Sequence, residues 1–234
     1  MAIKKIPTGI SGLDMMLNGG LIEGRPYSVV GGPGSGKSIL SWQFLTEGAE
    51  KGEVCLYITL DEPHDEIRDN MNSIGIQNNN IRIMDLSPGG LEEKGDVSAL
   101  DFMDKELPMQ LKRLKPRRVV LDSTTSIRAL ESDPVRSRRS ILSLMKTLST
   151  PPAPGERPMT SLMVTEDHHD KNPLESYLSR GVIRLHNRLI KGSRVRAIGI
   201  EKMRGTSFDE NLRPMKISEG GVMVAESDSM IVEL

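Results

Sequence analysis

The sequence is poor in several features that define large classes of proteins. It has one cysteine, Cys55, in 234 residues, so no disulfide can form within the chain, as is usual in a reducing compartment. No apolar run approaches the roughly 18 residues that a membrane helix needs, and the first residues contain no signal-peptide core. We therefore expect a soluble, cytoplasmic protein that does not associate with membranes.

Aromatic residues and net charge are also scarce. Aromatic side chains make up 3% of the chain, and 31 Lys and Arg residues against 32 Asp and Glu residues leave a net charge of −1. Few rings are therefore available to stack on bases, and the charge balance argues against constitutive binding of nucleic acid, although a local basic patch remains open. The length suits one large domain over residues 1–234, because two full domains would be cramped.

Apolar strand-like segments alternate with helical ones over most of the chain. The strand-like segments lie at 27–30, 54–60, 81–86, 118–122 and 161–166, with three more near 181–190, 194–202 and 213–226. Alternation of this kind predicts an α/β fold whose sheet is mainly parallel, with helices on both faces. The last three segments have no helices between them and are expected to form antiparallel hairpin strands.

A glycine-rich segment follows the first of these strands and precedes a helical pattern. It reads Gly31, Gly32, Pro33, Gly34, Ser35, Gly36, Lys37, Ser38 and Ile39. Its first eight residues satisfy the P-loop pattern G-x-x-x-x-G-K-[ST], in which backbone N–H groups cradle phosphates at a helix N-terminus. Lys37 can reach the β- and γ-phosphates, and Ser38 can ligate Mg²⁺. We assign the nine residues to nucleotide binding, and no [NT]-K-x-D motif favours GTP over ATP.

Carboxylates end three of the predicted strands. Asp122 follows Val119–Leu121, the position at which P-loop proteins hold Mg²⁺ opposite the P-loop hydroxyl, although Asp also caps turns. Asp61 and Glu62 end the second strand, where one could activate the attacking water or both could decorate the next helix N-terminus. Glu166 ends the fifth strand and could sense the γ-phosphate through water or cap a turn.

Two further groups of residues have weaker functional interpretations. His168 and His169 lie between aspartates, and a metal site there is conceivable, but a solvated loop is the preferred interpretation because no further ligand cluster is apparent. Arg136, Arg138 and Arg139 form a basic triplet that could bind phosphate. A solvated helix face is the more common origin of such a triplet.

Taken in order, these motifs resemble the KaiC family within the RecA superfamily. The matching segments are Ile6–Asp14, Gly19–Leu21, Gly31–Ser38, Gln43–Leu45, Tyr57–Glu62, Leu121–Ser123, Thr165–Glu166 and Lys202–Thr206. The P-loop is generic to many NTPases, whereas the opening segment and the K-x-R-G-T close are far more specific.

The resemblance implies a RecA-like core, hydrolysis of ATP with Mg²⁺, and a homo-oligomeric ring, usually a hexamer, with ATP between subunits. In the family two adjacent glutamates end the second strand. Asp61 falls on the first of them, the catalytic base, and Glu62 matches the second. Lys202 and Arg204 match the basic pair that reaches the γ-phosphate of the neighbouring subunit. Their spacing of two also places them on one face of a strand.

Three functions follow from these observations. The leading hypothesis is an ATPase ring whose nucleotide state regulates an unidentified protein partner; a circadian role does not follow from one ATPase domain, and autokinase activity is left open. The second is a DNA-dependent recombinase, against which the mixed charge of residues 167–180 argues. The third is a nucleotide-binding accessory protein with negligible turnover, suggested by the shorter side chain of Asp61.

Overall fold

The computed structural model describes residues 3–92, 98–130, 133–151, 155–167 and 174–227. Within these residues the strands are β1 (Lys5–Ile6), β2 (Leu21–Ile22), β3 (Pro26–Gly31), β4 (Cys55–Thr59), β5 (Arg82–Asp85), β6 (Arg118–Asp122), β7 (Thr160–Glu166), β8 (Gly181–Ile190), β9 (Ser193–Met203), β10 (Arg213–Ser218) and β11 (Gly221–Val224). The α-helices are α1 (Ser11–Met16), α2 (Lys37–Glu50), α3 (His64–Ser73), α4 (Pro88–Glu92), α5 (Ala99–Asp101), α6 (Leu107–Leu114), α7 (Thr124–Leu130), α8 (Pro134–Ser149) and α9 (Leu174–Leu178), with a π-helical stretch at Phe102–Glu106.

One large sheet organises the fold. Its strand order is β11-β10-β9-β8-β3-β7-β6-β4-β5, and β1 and β2 form a separate small ribbon. The strands from β8 through β5 pair in parallel, whereas β8, β9, β10 and β11 pair as antiparallel neighbours. The predicted α/β fold, with a mainly parallel sheet and C-terminal antiparallel strands, is confirmed.

Two apolar clusters cover the two faces of the sheet. Successive residues of a strand alternate between them: Tyr57 belongs to the cluster that includes helices α1, α2 and α3, whereas Ile58 belongs to the cluster that includes α6, α7 and α8. Val120 and Leu121 alternate in the same way. This period of two places helices on both faces, as the sequence pattern predicts.

Helix α3 has a proline before it and a glycine after it. Pro63 lies at the N-cap of α3 and not in its first turn. The reason is a tight turn before it, in which the Thr59 hydroxyl donates to Glu62 O at 2.7 Å and accepts from Glu62 N at 3.2 Å. Gly75 follows the end of α3 with φ +76°, as expected of a helix-terminating glycine.

Short helices are the main elements that the pattern does not predict. Helix α4 lies in the glycine- and proline-rich segment that follows β5, and α7 follows shortly after β6. Both helices are too short to show a clear helical period in the sequence. In the described part of the chain, no helix has the length and apolar character needed to cross a membrane.

Candidate nucleotide-binding site

The P-loop joins the carboxyl end of β3 to the first turn of α2. Gly34 and Gly36 have φ values of +67° and +102°, in the left-handed region where glycine is favoured. A Cβ on Gly31 would lie 2.6 Å from the Ser35 hydroxyl oxygen, so this position also needs glycine. The glycines therefore permit a tight loop whose backbone can approach phosphate oxygens closely.

Lys37 lies inside this loop with 9% of its surface exposed. Its Nζ donates to Gly32 O at 3.1 Å. Burial lowers the pKa of Lys37, and the carboxylates of Glu166 and Asp122 oppose that shift. The ammonium is thus held over the loop, close to where a terminal phosphate would need a cation.

Ser38 and Asp122 form the oxygen pair expected of a magnesium site. The Ser38 hydroxyl donates to Asp122 Oδ2 at 2.7 Å, although the two residues are far apart in sequence. Burial raises the pKa of Asp122, whereas hydrogen bonds from Tyr57 and Ser38 and the charge of Lys37 favour its ionised form. A hydroxyl and a carboxylate are hard oxygen donors of the kind that Mg²⁺ prefers, so these residues fit that ion.

Tyr57 is a site residue that sequence reasoning missed. Its hydroxyl donates to the same Oδ2 of Asp122. Burial, together with the charge of Asp122, raises the pKa of Tyr57, so the phenol stays protonated and remains a donor. Two sequence signals bear on it: Tyr57 begins the Tyr57–Glu62 segment that resembles the family, and it lies two residues before the carboxyl end of β4, where the site is.

Asp61 and Glu62 have polar partners of their own. Asp61 accepts from the Ser123 hydroxyl at 3.0 Å and from the Ser126 hydroxyl. Glu62 Oε2 accepts from Asn70 Nδ2 at 3.3 Å. Partial burial raises the pKa of Glu62, and the charge of the nearby Asp122 adds to that shift.

A different carboxylate occupies the N-terminus of α3. The backbone N–H of His64, the first residue of the helix, donates to Asp85 Oδ2 at 2.9 Å. The N-cap residue, Pro63, makes no side-chain capping bond. Asp85 therefore serves the capping role that was the alternative interpretation of Asp61 and Glu62.

A cavity of about 310 Å³ brings these groups together. It is lined by Pro33, Gly34, Lys37, Ser38, Tyr57, Thr59, Asp61, Glu62, Ile67, Asp122, Ser123 and Glu166. Glu166 is held at its backbone, where its N–H donates to the Thr125 hydroxyl at 2.9 Å. Ile39 packs against the apolar core beneath the loop and does not line the cavity.

Lys202 and Arg204 lie near the amino ends of the parallel strands, at the end of the sheet away from the P-loop. Gly181 pairs with Tyr27 of β3 and with Met203 of β9, whereas the P-loop end of β3, Gly31, pairs with Leu185. The rise of a strand separates these two levels by about 13 Å. Neither cation lines the cavity of its own subunit.

The remaining candidates do not join the site. His168 and His169 lie outside the described residues. Where side chains are described, no cluster of three or more His, Cys, Asp or Glu residues could hold a metal ion. Arg136, Arg138 and Arg139 are exposed on α8, as expected of a solvated helix face.

Fold and site together define a P-loop ATPase with a RecA-like core. A family model for the KaiC ATPase matches residues 6–229. The chain belongs to the KaiC ATPase family, which confirms the resemblance drawn from its motifs. Membership indicates nucleotide binding and hydrolysis as the general activity.

Three relatives illustrate the match. A UPF0273 protein of Thermotoga maritima is 31% identical over 97% of this chain and 98% of its own length. The circadian clock oscillator protein KaiC of Prochlorococcus marinus subsp. pastoris is 30% identical over 96% of this chain, which spans 45% of that protein. The crystal structure of a KaiC-like protein from Pyrococcus horikoshii has a TM-score of 0.80 at 25% identity, covering 96% of this chain and all of that one.

Proposed function

We propose that this protein binds Mg-ATP and hydrolyses it as a single ATPase domain assembled into a homo-oligomeric ring, and that its nucleotide state regulates a protein partner. One observation carries the proposal: Lys37, the Ser38–Asp122 pair and the carboxylates of Asp61 and Glu62 line one cavity. Phosphate binding, metal binding and activation of water are thereby supported at a single place.

Binding depends on the P-loop and its two neighbours. Backbone N–H groups of the loop and the N-terminus of α2 attract the phosphates, and Lys37 adds a cation for the terminal ones. Ser38 and Asp122 would hold Mg²⁺, which supplies charge neutralisation at the transferred phosphoryl group. The Tyr57 hydroxyl orients the Asp122 carboxylate toward Ser38 by donating to Oδ2.

Glu62 is the residue we assign to accept the proton of the attacking water. Within the described residues, nothing donates a hydrogen bond to its Oε1, whereas both oxygens of Asp61 accept from serine hydroxyls. A raised pKa also brings Glu62 closer to the operating pH, which favours a general base. Asp61 then holds Ser123 and Ser126, and through them the start of α7.

The ring is proposed from the position of Lys202 and Arg204. Both residues lie at the end of the sheet away from the P-loop of their own subunit. In a head-to-tail assembly they could therefore act on the ATP of the neighbouring subunit. A closed ring of six subunits would supply each ATP with the basic pair of the next subunit. An arginine supplied in this way can accelerate phosphoryl transfer by about 10³–10⁵-fold.

The decisive test compares Lys37→Ala with Lys51→Ala, a lysine at the other end of α2. Lys37→Ala should abolish nucleotide binding or turnover, because it removes the buried cation from the loop. Lys51 is half exposed and pairs with Glu47, so its variant should behave as the unsubstituted protein does. The measurements are titration with a fluorescent ATP analogue and phosphate release with Mg²⁺.

The same assays separate the competing functions. Equal binding and turnover in both lysine variants would exclude this cavity as the nucleotide site. Stimulation of phosphate release by single-stranded DNA would favour the recombinase. Tight binding of ATP with no release of phosphate by the unsubstituted protein would favour the accessory protein.

A further inference from the structure

Arg180 lies beside the basic pair on the same face of the sheet. It directly precedes β8, and its carbonyl oxygen accepts from Arg204 N at 2.8 Å. The adjoining pairs of the ladder are Gly181 with Met203 and Val182 with Lys202. Because paired residues share a face and side chains alternate along a strand, Arg180, Lys202 and Arg204 form one cluster.

This cluster is electrostatically unfavourable on its own. Like charges placed directly opposite each other on paired strands destabilise a sheet. Partial burial lowers the pKa of Lys202, and the charges of Arg204 and Arg180 lower it further. Within the described parts of the chain, no carboxylate forms an ion pair with any of the three.

Three other cations near the amino ends of these strands are neutralised within the subunit by one carboxylate. Glu23, only 9% exposed at its side chain, pairs with Lys4, Arg117 and Arg157. A cation that only stabilises this region can therefore be paired with a carboxylate of its own subunit. Among the described residues no such acid lies beside Arg180, which points to an anion from outside the subunit.

Backbone contacts hold the cluster in place instead. Lys202 Nζ donates to the carbonyl oxygens of Ser176 and Tyr177 at 2.8 and 3.0 Å. An Arg25 guanidinium nitrogen donates to Arg204 O at 2.8 Å, and Arg180 N donates to Pro26 O at the same distance. These contacts restrain the Lys202 ammonium and the backbone of Arg180 and Arg204 without neutralising any of the three charges, which suits a preorganised anion site.

We propose that Arg180 is a third cation that each subunit contributes to the polyphosphate of the nucleotide held by its neighbour. The proposal rests on the proposed action of Lys202 and Arg204 across the ring interface. A nucleoside triphosphate concentrates several negative charges in a small volume, and a guanidinium can bind two phosphate oxygens at once. That ligand matches three uncompensated cations better than a single carboxylate of a partner protein does.

Mixed rings test Arg180 where it is expected to act. Arg204→Ala subunits keep an intact P-loop, and Lys37→Ala subunits keep all three cations, so the second type should rescue the first. Rescuing subunits that also carry Arg180→Ala should raise the apparent KM for ATP or lower the rescued rate by about 10- to 100-fold, as for loss of a charge-assisted hydrogen bond. Arg180→Lys should restore part of the effect.

Arg188→Ala in the rescuing subunit is the matched control, because Arg188 is an exposed arginine near the other end of β8. It should rescue fully. Thermal unfolding and light scattering, with and without nucleotide, confirm that each subunit folds and co-assembles.

The possible outcomes distinguish the role of Arg180 from the proposed roles of Lys202 and Arg204. Full rescue by Arg180→Ala subunits would overturn the role of Arg180 and leave the action of Lys202 and Arg204 intact. No rescue by any subunit, despite proven co-assembly, would overturn both. Failure of Arg180→Ala subunits to assemble even without nucleotide would assign Arg180 to an acidic protein surface and contradict the inference.

Discussion

Charged groups at the carboxyl ends of the parallel strands (the carboxyl edge) and at their amino ends (the amino edge) have different partners. At the carboxyl edge, the carboxylates accept hydrogen bonds inside the subunit: Asp122 accepts from Ser38 and Tyr57, Asp61 accepts from Ser123, and one oxygen of Glu62 accepts from Asn70. At the amino edge, Arg180, Lys202 and Arg204 have no acidic partner among the described residues. The carboxyl edge therefore resembles a pocket that is complete within one subunit. The amino edge resembles a half-site that needs another molecule.

The contrast gives a physical reason for a ring. A pocket satisfied by its own hydrogen bonds can bind phosphate in an isolated subunit. In the proposed ring, the uncompensated cations at the far edge would gain a partner when a neighbouring subunit brings an anion to them. Head-to-tail assembly would place one edge against the other, and each experiment below separates the contributions of the two edges.

The largest effect is expected at the amino edge. Arg204→Ala should reduce turnover by about 10³–10⁵-fold, because it removes transition-state charge stabilisation from the next subunit's ATP. Mixed with Lys37→Ala subunits, this variant should regain part of the lost activity, since one partner supplies the P-loop and the other the arginine. Phosphate release by the mixture, compared with each variant alone, is the measurement.

Lys202→Ala should behave in the same way in the mixture, because Lys202 shares the face of Arg204. A mixture that co-assembles and yet stays inactive would mean that these cations act within their own subunit or have no role in turnover. The uncompensated charge at the amino edge would then be unrelated to catalysis.

A smaller loss is expected at the carboxyl edge. Glu62→Gln should keep ATP binding and slow hydrolysis by about 10²–10⁴-fold, the usual cost of losing a general base. Asp61→Asn should have a milder effect, because the amide can still bond with Ser123 or Ser126. Single-turnover hydrolysis beside an ATP titration separates the two steps, and Asp69→Asn, an exposed acid on α3, is the control.

The double variant with both amides sharpens this test. Normal turnover in it would show that neither carboxylate activates water. A larger loss for Asp61→Asn than for Glu62→Gln would reverse our assignment and make Asp61 the base, as the family resemblance implies.

The smallest effect is a dependence on pH. Glu62 must be ionised to accept a proton, and its pKa lies above the ordinary value of 4.5 because of partial burial and the charge of Asp122. Turnover should therefore rise by about tenfold per pH unit below the raised pKa and level off above it. Asp61→Asn should move this limb to lower pH, because the charge of Asp61 contributes to the shift.

Glu62→Gln should remove the limb altogether, which a plot of log kcat against pH would show. An identical limb in the Gln variant would assign the titration to another group of the cavity.

Much of the fold and part of the site could be predicted because their signals are local. The P-loop lies in one continuous segment, and the strands from β3 to β9 show as apolar runs with clear ends. The short helices α4 and α7 have too few residues to show a helical period of hydrophobic positions, so the sequence pattern did not predict them. The position of Ile39 outside the cavity depended on its packing against the core, which the sequence pattern does not encode.

The sequence by itself determined the family, the P-loop and the carboxylates at the strand ends, because each is defined by residues adjacent in the chain. Only the tertiary structure decided which distant groups meet. Tyr57, Ser38 and Asp122 come together because β4, β6 and the P-loop all end at one edge of the sheet. Arg180 joins Arg204 because β8 and β9 are antiparallel, and this strand pairing reflects the folding of the whole sheet and not any local pattern.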